Sequence, residues 1–168
     1  INNPGLNSFD PLTFLLLTID HFNYLEPYLK KLEQLPLEEK KEIVNQKNDY
    51  DYTPLMYLCR HSEKFNSEKA LKLLFKYDLG LDLNLQNNEG WTALMLASRY
   101  SNTDSTEKTV EMLLEKNPDL NLQNKNGWTA LMLACRHSNK DSTEKTVKML
   151  LEKNPVINLG NNNDWTPL

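Results

Sequence analysis

The feature that most constrains this chain is a near-identical internal repeat. Residues 82–118 and 119–155 match at 31 of 37 aligned positions, and the octapeptide GWTALMLA occurs in both copies. Looser copies are assigned to 44–81 and, in degenerate form, to 1–43, and 156–168 begins a further copy. Self-similarity at this period is typical of stacked small units, in which a degenerate first copy caps the stack.

Each unit is predicted to contain a turn, a helix, a loop and a second helix. In the 119–155 copy, Asn126-Gly127 supplies a turn tip with positive φ, and Thr129 is placed to cap a helix beginning at Ala130. The inward-facing residues of this helix are predicted to be Leu131, Ala134 and Cys135.

The second helix of this copy is predicted to begin at Asp141 or Ser142, with Glu144 in its first turn, and to end at Asn154-Pro155. Its inward-facing residues are predicted to be Val147, Leu150 and Leu151. Two such short helices cannot bury their own apolar faces, so neighbouring units must stack. The repeated octapeptide is therefore interpreted as a packing unit.

The residues NLQNKNGWTALMLA at 121–134 and VKMLLEKNPVIN at 147–158 resemble the ankyrin repeat. That pattern has Asn, a turn glycine, Thr-Pro-Leu-His-x-Ala, then Val-x-x-Leu-Leu and Gly-Ala-Asp-x-Asn. The resemblance covers 44–168 well and 10–43 weakly, and it implies an all-α solenoid of helix-turn-helix units joined by turns or hairpins. The long period, the Asn and Lys content and the tandem copies are most similar to the ankyrin proteins of giant DNA viruses such as mimivirus.

Three departures from the ankyrin pattern carry expectations of their own. Asp51 and Asp164 stand where the turn glycine is expected, which predicts looser tips in those copies. Four extra residues within SNTDSTE at 101–107 either lengthen a helix or enlarge a solvated loop, and the turn-forming composition favours the loop. The histidine that follows Thr-Pro-Leu in the ankyrin pattern is replaced by Met56, Met95 and Met132.

Composition and motifs argue against several classes of function. The net charge of −4 argues against non-specific binding of nucleic acid or anionic lipid. The apolar run at 12–19 is far shorter than the ~20 residues that span a bilayer. Cys59 and Cys135 are not spaced as metal ligands and are predicted to be reduced, buried thiols. The three histidines suggest neither a catalytic triad nor a metal site, and no glycine-rich phosphate loop is present.

We therefore expect no catalytic residues, no cofactor, no metal, and neither nucleic acid nor membrane as partner. An intracellular, cytoplasmic protein is expected, in the host cytoplasm if the chain is viral. A start at Ile1 and an end inside a repeat favour a piece of a longer protein.

Stacked repeats create an extended concave surface, and this favours binding of a partner protein by a monomeric array. The ankyrin resemblance implies contacts from the turn tips and from the exposed end of the first helix. Carried over position by position, the candidate partner-binding residues are Tyr50, Tyr52, Arg60, His61, Asn88, Glu89, Trp91, Arg99, Tyr100, Lys125, Asn126, Trp128, Arg136, His137 and Trp165, with Asp49, Asn162 and Asn163 beside them. Three of the six differences between the two nearest copies, at 88/125, 89/126 and 100/137, fall on these positions.

Alternatives stay open at the two most conspicuous columns. The aromatic column Tyr52, Trp91, Trp128, Trp165 is either a hot spot for a partner or a set of rings packed on adjacent tips, and packing is slightly favoured. The arginine column Arg60, Arg99, Arg136 is equally consistent with partner binding and with solvation. The predicted function is a protein-interaction module, and the alternatives are a structural spacer or a targeting domain of a longer enzyme or adaptor.

Overall fold

A computed structural model describes residues 22–49, 51–62 and 67–167. This part of the chain contains α-helices and no strand. The helices are α1 (Phe22–Glu33), α2 (Leu37–Asn45), α3 (Pro54–Arg60), α4 (Ser67–Lys76), α5 (Ala93–Arg99), α6 (Glu107–Leu114), α7 (Ala130–His137) and α8 (Glu144–Leu151). Residues 1–21, which are the first part of the degenerate copy assigned to 1–43 and include His21, lie outside the described residues.

The helices form two layers. In the inner layer α5 packs between α3 and α7, and in the outer layer α6 packs between α4 and α8 while α1 packs on α4. Each inner helix also packs on the outer helix that follows it in sequence. One continuous apolar core runs through both layers, from Leu25 to Leu150. The predicted all-α solenoid is confirmed.

Threonine hydroxyls cap both helices of the copies at 82–118 and 119–155, and also α3 of the copy at 44–81. The Thr129 Oγ1 accepts a hydrogen bond from the Met132 backbone N–H at 3.3 Å, so the predicted cap of α7 is confirmed. The prediction for the second helix is wrong, because the residue that caps α8 is Thr143, whose Oγ1 accepts from the Thr146 N–H at 3.1 Å. Asp141 and Ser142 lie in the preceding loop, where they contact the neighbouring repeat.

The inward faces follow the prediction except at Cys135 on α7 and at Val147 and Leu151 on α8. Leu131, Ala134 and Leu150 are buried, whereas Cys135 and Val147 are only half-buried. Leu151 is 37% exposed, although its equivalent Leu114 is 3% exposed between two outer helices. The helix ends at Leu151, and Asn154 adopts the predicted left-handed conformation with φ 54° three residues later.

The four-residue insert forms a loop, as its composition predicts, because α5 ends at Arg99 and α6 begins at Glu107. The expectation of a solvated loop is wrong. Ser101 is 4% exposed, and its hydroxyl lies 3.1 Å from that of Ser142 and accepts from the Thr146 hydroxyl at 2.8 Å. Ser62, Ser105 and Thr109 repeat this arrangement one unit earlier. The inserts therefore connect adjacent repeats through buried hydroxyl groups.

Helix α2 is a feature that the repeat pattern does not predict. It crosses the assigned boundary between residues 43 and 44, and it packs on α3. Val44 is fully buried, and the Asn45 side chain donates to the Gly80 carbonyl at 3.0 Å and accepts from the Asp82 N–H at 2.9 Å. These bonds connect α2 to the end of the copy at 44–81 and to the start of the copy at 82–118.

Candidate protein-interaction surface

Each turn tip is organised by an asparagine side chain. The Asn124 carboxamide oxygen accepts from the backbone N–H groups of Asn126 and Trp128, both at 3.0 Å, and the Asn124 N–H donates to the Trp128 carbonyl at 3.0 Å. Gly127 follows with φ 77°. Equivalent bonds are present at Asn87 and Asn161, so the tip conformation is set by the Asn-based turn.

Aspartate supports the same tip as glycine. Asp51 and Asp164 adopt φ 62° and 60°, and their N–H groups donate across the turn at 2.8 and 2.9 Å. The Gly127 N–H makes the equivalent bond at 2.8 Å. The expected loosening of the Asp tips is therefore wrong, because aspartate is one of the few residues that visit the left-handed region at low cost.

Neighbouring tips are hydrogen-bonded to each other. The Lys125 N–H donates to the Glu89 carbonyl at 3.0 Å, and the Asn162 N–H donates to the Asn126 carbonyl at 3.1 Å. The Gln123 Nε2 donates to a carbonyl of its own tip at 2.7 Å and to one of the following unit at 2.9 Å. These bonds hold successive tips at a fixed spacing.

Aromatic and arginine side chains alternate behind the tips. The Arg99 Cζ lies 5.6 Å from the centre of the Trp91 ring, and the Arg136 Cζ lies 5.0 Å from Trp128 and 5.5 Å from Trp165. These distances are within the range of cation–π attraction. Trp91 and Trp128 are half-buried and pack on the core, whereas Trp165 is 58% exposed. The Trp91 and Trp128 rings therefore pack on the core and also remain partly exposed at the surface.

Arg60 has a different environment from the other two arginines of the column. Its guanidinium forms an ion pair with Asp104 and lies 3.5 Å from the centre of the Tyr100 ring. Beside it, burial raises the pKa of Tyr52, against the opposing effect of the Arg60 charge. The charge of Arg60 is therefore compensated within the array by Asp104.

A groove of about 500 Å³ lies beside the tips at 124–127 and 161–164. Burial and then the Arg99 charge lower the pKa of His137, against the opposing effect of Asp141, whose Oδ2 lies 3.5 Å from the His137 Nδ1. The imidazole is consequently neutral at neutral pH. The groove is lined by Trp91, Arg99, Asn124, Asn126, Trp128, Leu133, Arg136, His137, Asn162 and Asn163.

A family model for ankyrin repeats, in three copies, matches residues 26–117 and 104–168. The chain belongs to the ankyrin repeat family. A Rickettsia bellii (strain RML369-C) protein named as an ankyrin repeat protein is 43% identical over 76 residues. That match covers 45% of this chain and 41% of the relative, so the chain spans well under half the length of the relative.

Ankyrin repeats are generally protein-interaction modules, and the family is a non-enzymatic fold. Among the described residues, no group of three or more His, Cys, Asp or Glu side chains is arranged to hold a metal ion. Within the same part of the chain, no helix has the length and apolar character needed to cross a membrane. Cys59 and Cys135 are free thiols, the first buried and the second half-buried.

The ankyrin array distributes the predicted contact residues over three places. Six line the groove: Trp91, Arg99, Asn126, Trp128, Arg136 and His137. Four are exposed at the tips: Asn88, Glu89, Lys125 and Trp165. The remaining described residues are half-buried around the preceding repeat: Tyr52, Arg60, His61 and Tyr100. Tyr50 lies outside the described residues.

Asn124 and Leu133 also line the groove, although the position-by-position transfer does not include them. Asn124 is 5% exposed, and its Nδ2 finds no hydrogen-bond acceptor among the described residues. The asparagine at the same point of each copy is a signal in the sequence, but its turn-forming role gives no reason to place it in a binding surface.

Proposed function

We propose that this ankyrin array binds a partner protein through the groove between its tips and through the adjoining tip residues. The observation that carries the proposal is the convergence of Trp91, Arg99, Trp128 and Arg136 on one groove. Tryptophan and arginine are the residue types most enriched at the energetic centres of protein interfaces. The rigid spacing of the tips favours binding because few groups must be ordered when a partner docks.

The finer interpretation concerns origin and setting. The resemblance to giant-virus ankyrin proteins would make the partner a host factor met in the host cytoplasm, with the array acting as a monomer. The charge of the groove supports a protein partner with acidic groups, because no Asp or Glu is among the residues that line it. A structural spacer would not need such a surface.

Affinity capture from a host-cell lysate tests this proposal. The native array is compared with an Arg99→Glu, Arg136→Glu, Lys125→Glu variant, after circular dichroism shows that both are folded. The matched control carries the same three charge reversals on the outer layer, at Lys108, Lys148 and Lys153, which are exposed.

A protein retained by the native array and by the control, but lost by the groove variant, supports the proposal. Equal retention by all three arrays would refute binding at this surface. Retention by none would favour the spacer.

A further inference from the structure

Arg99 is a half-buried cation that has no counter-ion among the described residues. None of the described residues forms an ion pair with its guanidinium, and its Nε–H is buried without a hydrogen-bond acceptor. Its close neighbours are the rings of Trp91, at 5.6 Å, and Tyr100, at 5.0 Å. A cation that has lost water without gaining an anion is unfavourable, and a carboxylate that reaches it removes part of that cost.

The preceding repeat shows how the same arginine is neutralised elsewhere in the chain. Arg60 occupies the equivalent position and pairs with Asp104. The residue equivalent to Asp104 in the next repeat is Asp141, which is available in sequence to pair with Arg99. Its carboxylate instead approaches His137, with 3.5 Å between Oδ2 and Nδ1.

One of the differences between the copies lies at this change of partner. Tyr100 and His137 are equivalent positions. The Arg60 Cζ lies over the Tyr100 ring, which has no ring nitrogen to offer a carboxylate, whereas the His137 Nδ1 lies beside Asp141. Asp141 therefore lies beside His137 and forms no ion pair with Arg99.

We propose that the groove recognises a carboxylate side chain, from an aspartate or glutamate in an acidic segment of the partner protein. Arg99 is the cation, Trp91 and Trp128 are the apolar walls, and His137 is a positioning residue. The inference rests on the proposed function, because it names the chemistry of the same surface. The groove of about 500 Å³ accommodates one or two side chains of a partner.

Selection from a displayed library of random peptides tests the proposal on the whole chain. Selected peptides are synthesised with each Asp or Glu and, separately, with the matching Asn or Gln, and their affinities are measured by fluorescence polarisation. The protein variants are Arg99→Gln and His137→Tyr. Tyrosine is chosen at the second position because the 82–118 copy carries Tyr100 at the equivalent position. Lys148→Gln on exposed α8 is the control for loss of one positive charge.

The expected result is enrichment of acidic peptides, with an affinity loss of about 10- to 100-fold when the acidic residue becomes its amide or when Arg99 becomes Gln. The two changes combined should lose little more than either alone, because they remove the same pair. His137→Tyr should also weaken binding, since Asp141 is then free to pair with Arg99. Lys148→Gln should leave the affinity within about 2-fold, as expected of an exposed charge.

Three results would overturn the inference, and they separate it from the proposed function. Peptides that bind the groove with no acidic preference, or that tolerate Arg99→Gln as well as Lys148→Gln, refute the carboxylate site and leave the module intact. Displacement by inorganic phosphate but not by acetate reassigns the groove to phosphate. If no peptide is selected, or if every peptide binds a Trp91→Ala, Trp128→Ala variant equally, the proposed function fails and the inference fails with it.

Discussion

Two buried serines three residues apart should respond in opposite directions to the same change. Ser98 is fully buried, and its hydroxyl has no hydrogen-bond partner among the described residues. Ser101 is 4% exposed, and its hydroxyl contacts that of Ser142 at 3.1 Å and accepts from Thr146 at 2.8 Å. Ser98→Ala should stabilise the fold, and Ser101→Ala should destabilise it.

The magnitudes follow from the hydrogen bonds. Removing the unsatisfied Ser98 hydroxyl recovers about 1–3 kcal/mol of desolvation cost, and alanine adds about 0.5 kcal/mol as the better helix former. The small void left by the oxygen costs about 1 kcal/mol, so the net gain is about 1 kcal/mol. Ser101→Ala loses the bonds to Ser142 and Thr146 at about 1 kcal/mol each, together with a longer bond to the Ser98 carbonyl at 3.4 Å. Because buried hydroxyls are also left less satisfied, the total loss is about 2–3 kcal/mol.

Urea unfolding followed by far-ultraviolet circular dichroism measures both free energies of unfolding. Ser98→Cys is a matched variant, because Cys59 and Cys135 occupy the equivalent position in the neighbouring copies. We expect it to stabilise the array as Ser98→Ala does. A loss of stability on Ser98→Ala as large as that on Ser101→Ala would refute the reasoning, since both changes remove one buried oxygen and only the Ser101 oxygen is hydrogen-bonded.

Two further predictions concern the tips and the thiols. Gly90→Ala should lower the free energy of unfolding by about 2–4 kcal/mol, because φ is +77° and a Cβ would lie 2.8 Å from the Asn124 Cα. Gly160→Ala should change it by about 0.5 kcal/mol or less, because the closest neighbour of its Cβ is at 3.5 Å. Equal urea midpoints for the two variants would contradict this. Burial raises the pKa of the Cys59 thiol, so in a Cys135→Ser variant a disulfide reagent at neutral pH should react only as the array opens. Reaction of native Cys59 at the rate seen in guanidinium would show that the thiol is not shielded.

Local signals in the sequence predicted the features that depend on few residues. The threonine cap of α7 was predictable because one side chain and one backbone N–H three residues later form it. The cap of α8 was not, because Asp141, Ser142 and Thr143 are all good capping residues in a row. The choice falls to Thr143 because the backbone carbonyl of Asp141 and the hydroxyl of Ser142 already bond to the preceding repeat.

The candidate surface also has features that the sequence predicts and features that it does not. The columns of tryptophan and arginine are visible in the sequence because the repeat places them in register. Which arginine pairs with a carboxylate is not visible, because the difference between Arg60 and Arg99 depends on where the Asp104 and Asp141 side chains lie across a repeat boundary.

The sequence by itself determined the period, the helical content, the ankyrin family and the equivalence of positions between copies, because these follow from local spacing that recurs every 37 residues. Only the tertiary structure decided which polar residues of the insert are buried and why Leu151 is exposed where Leu114 is not. It also decided that Arg99, unlike Arg60, forms no ion pair with any described residue. The physical reason is that burial and charge pairing in a stack belong to the interface between neighbours. Two copies with nearly the same sequence therefore differ wherever their neighbours differ.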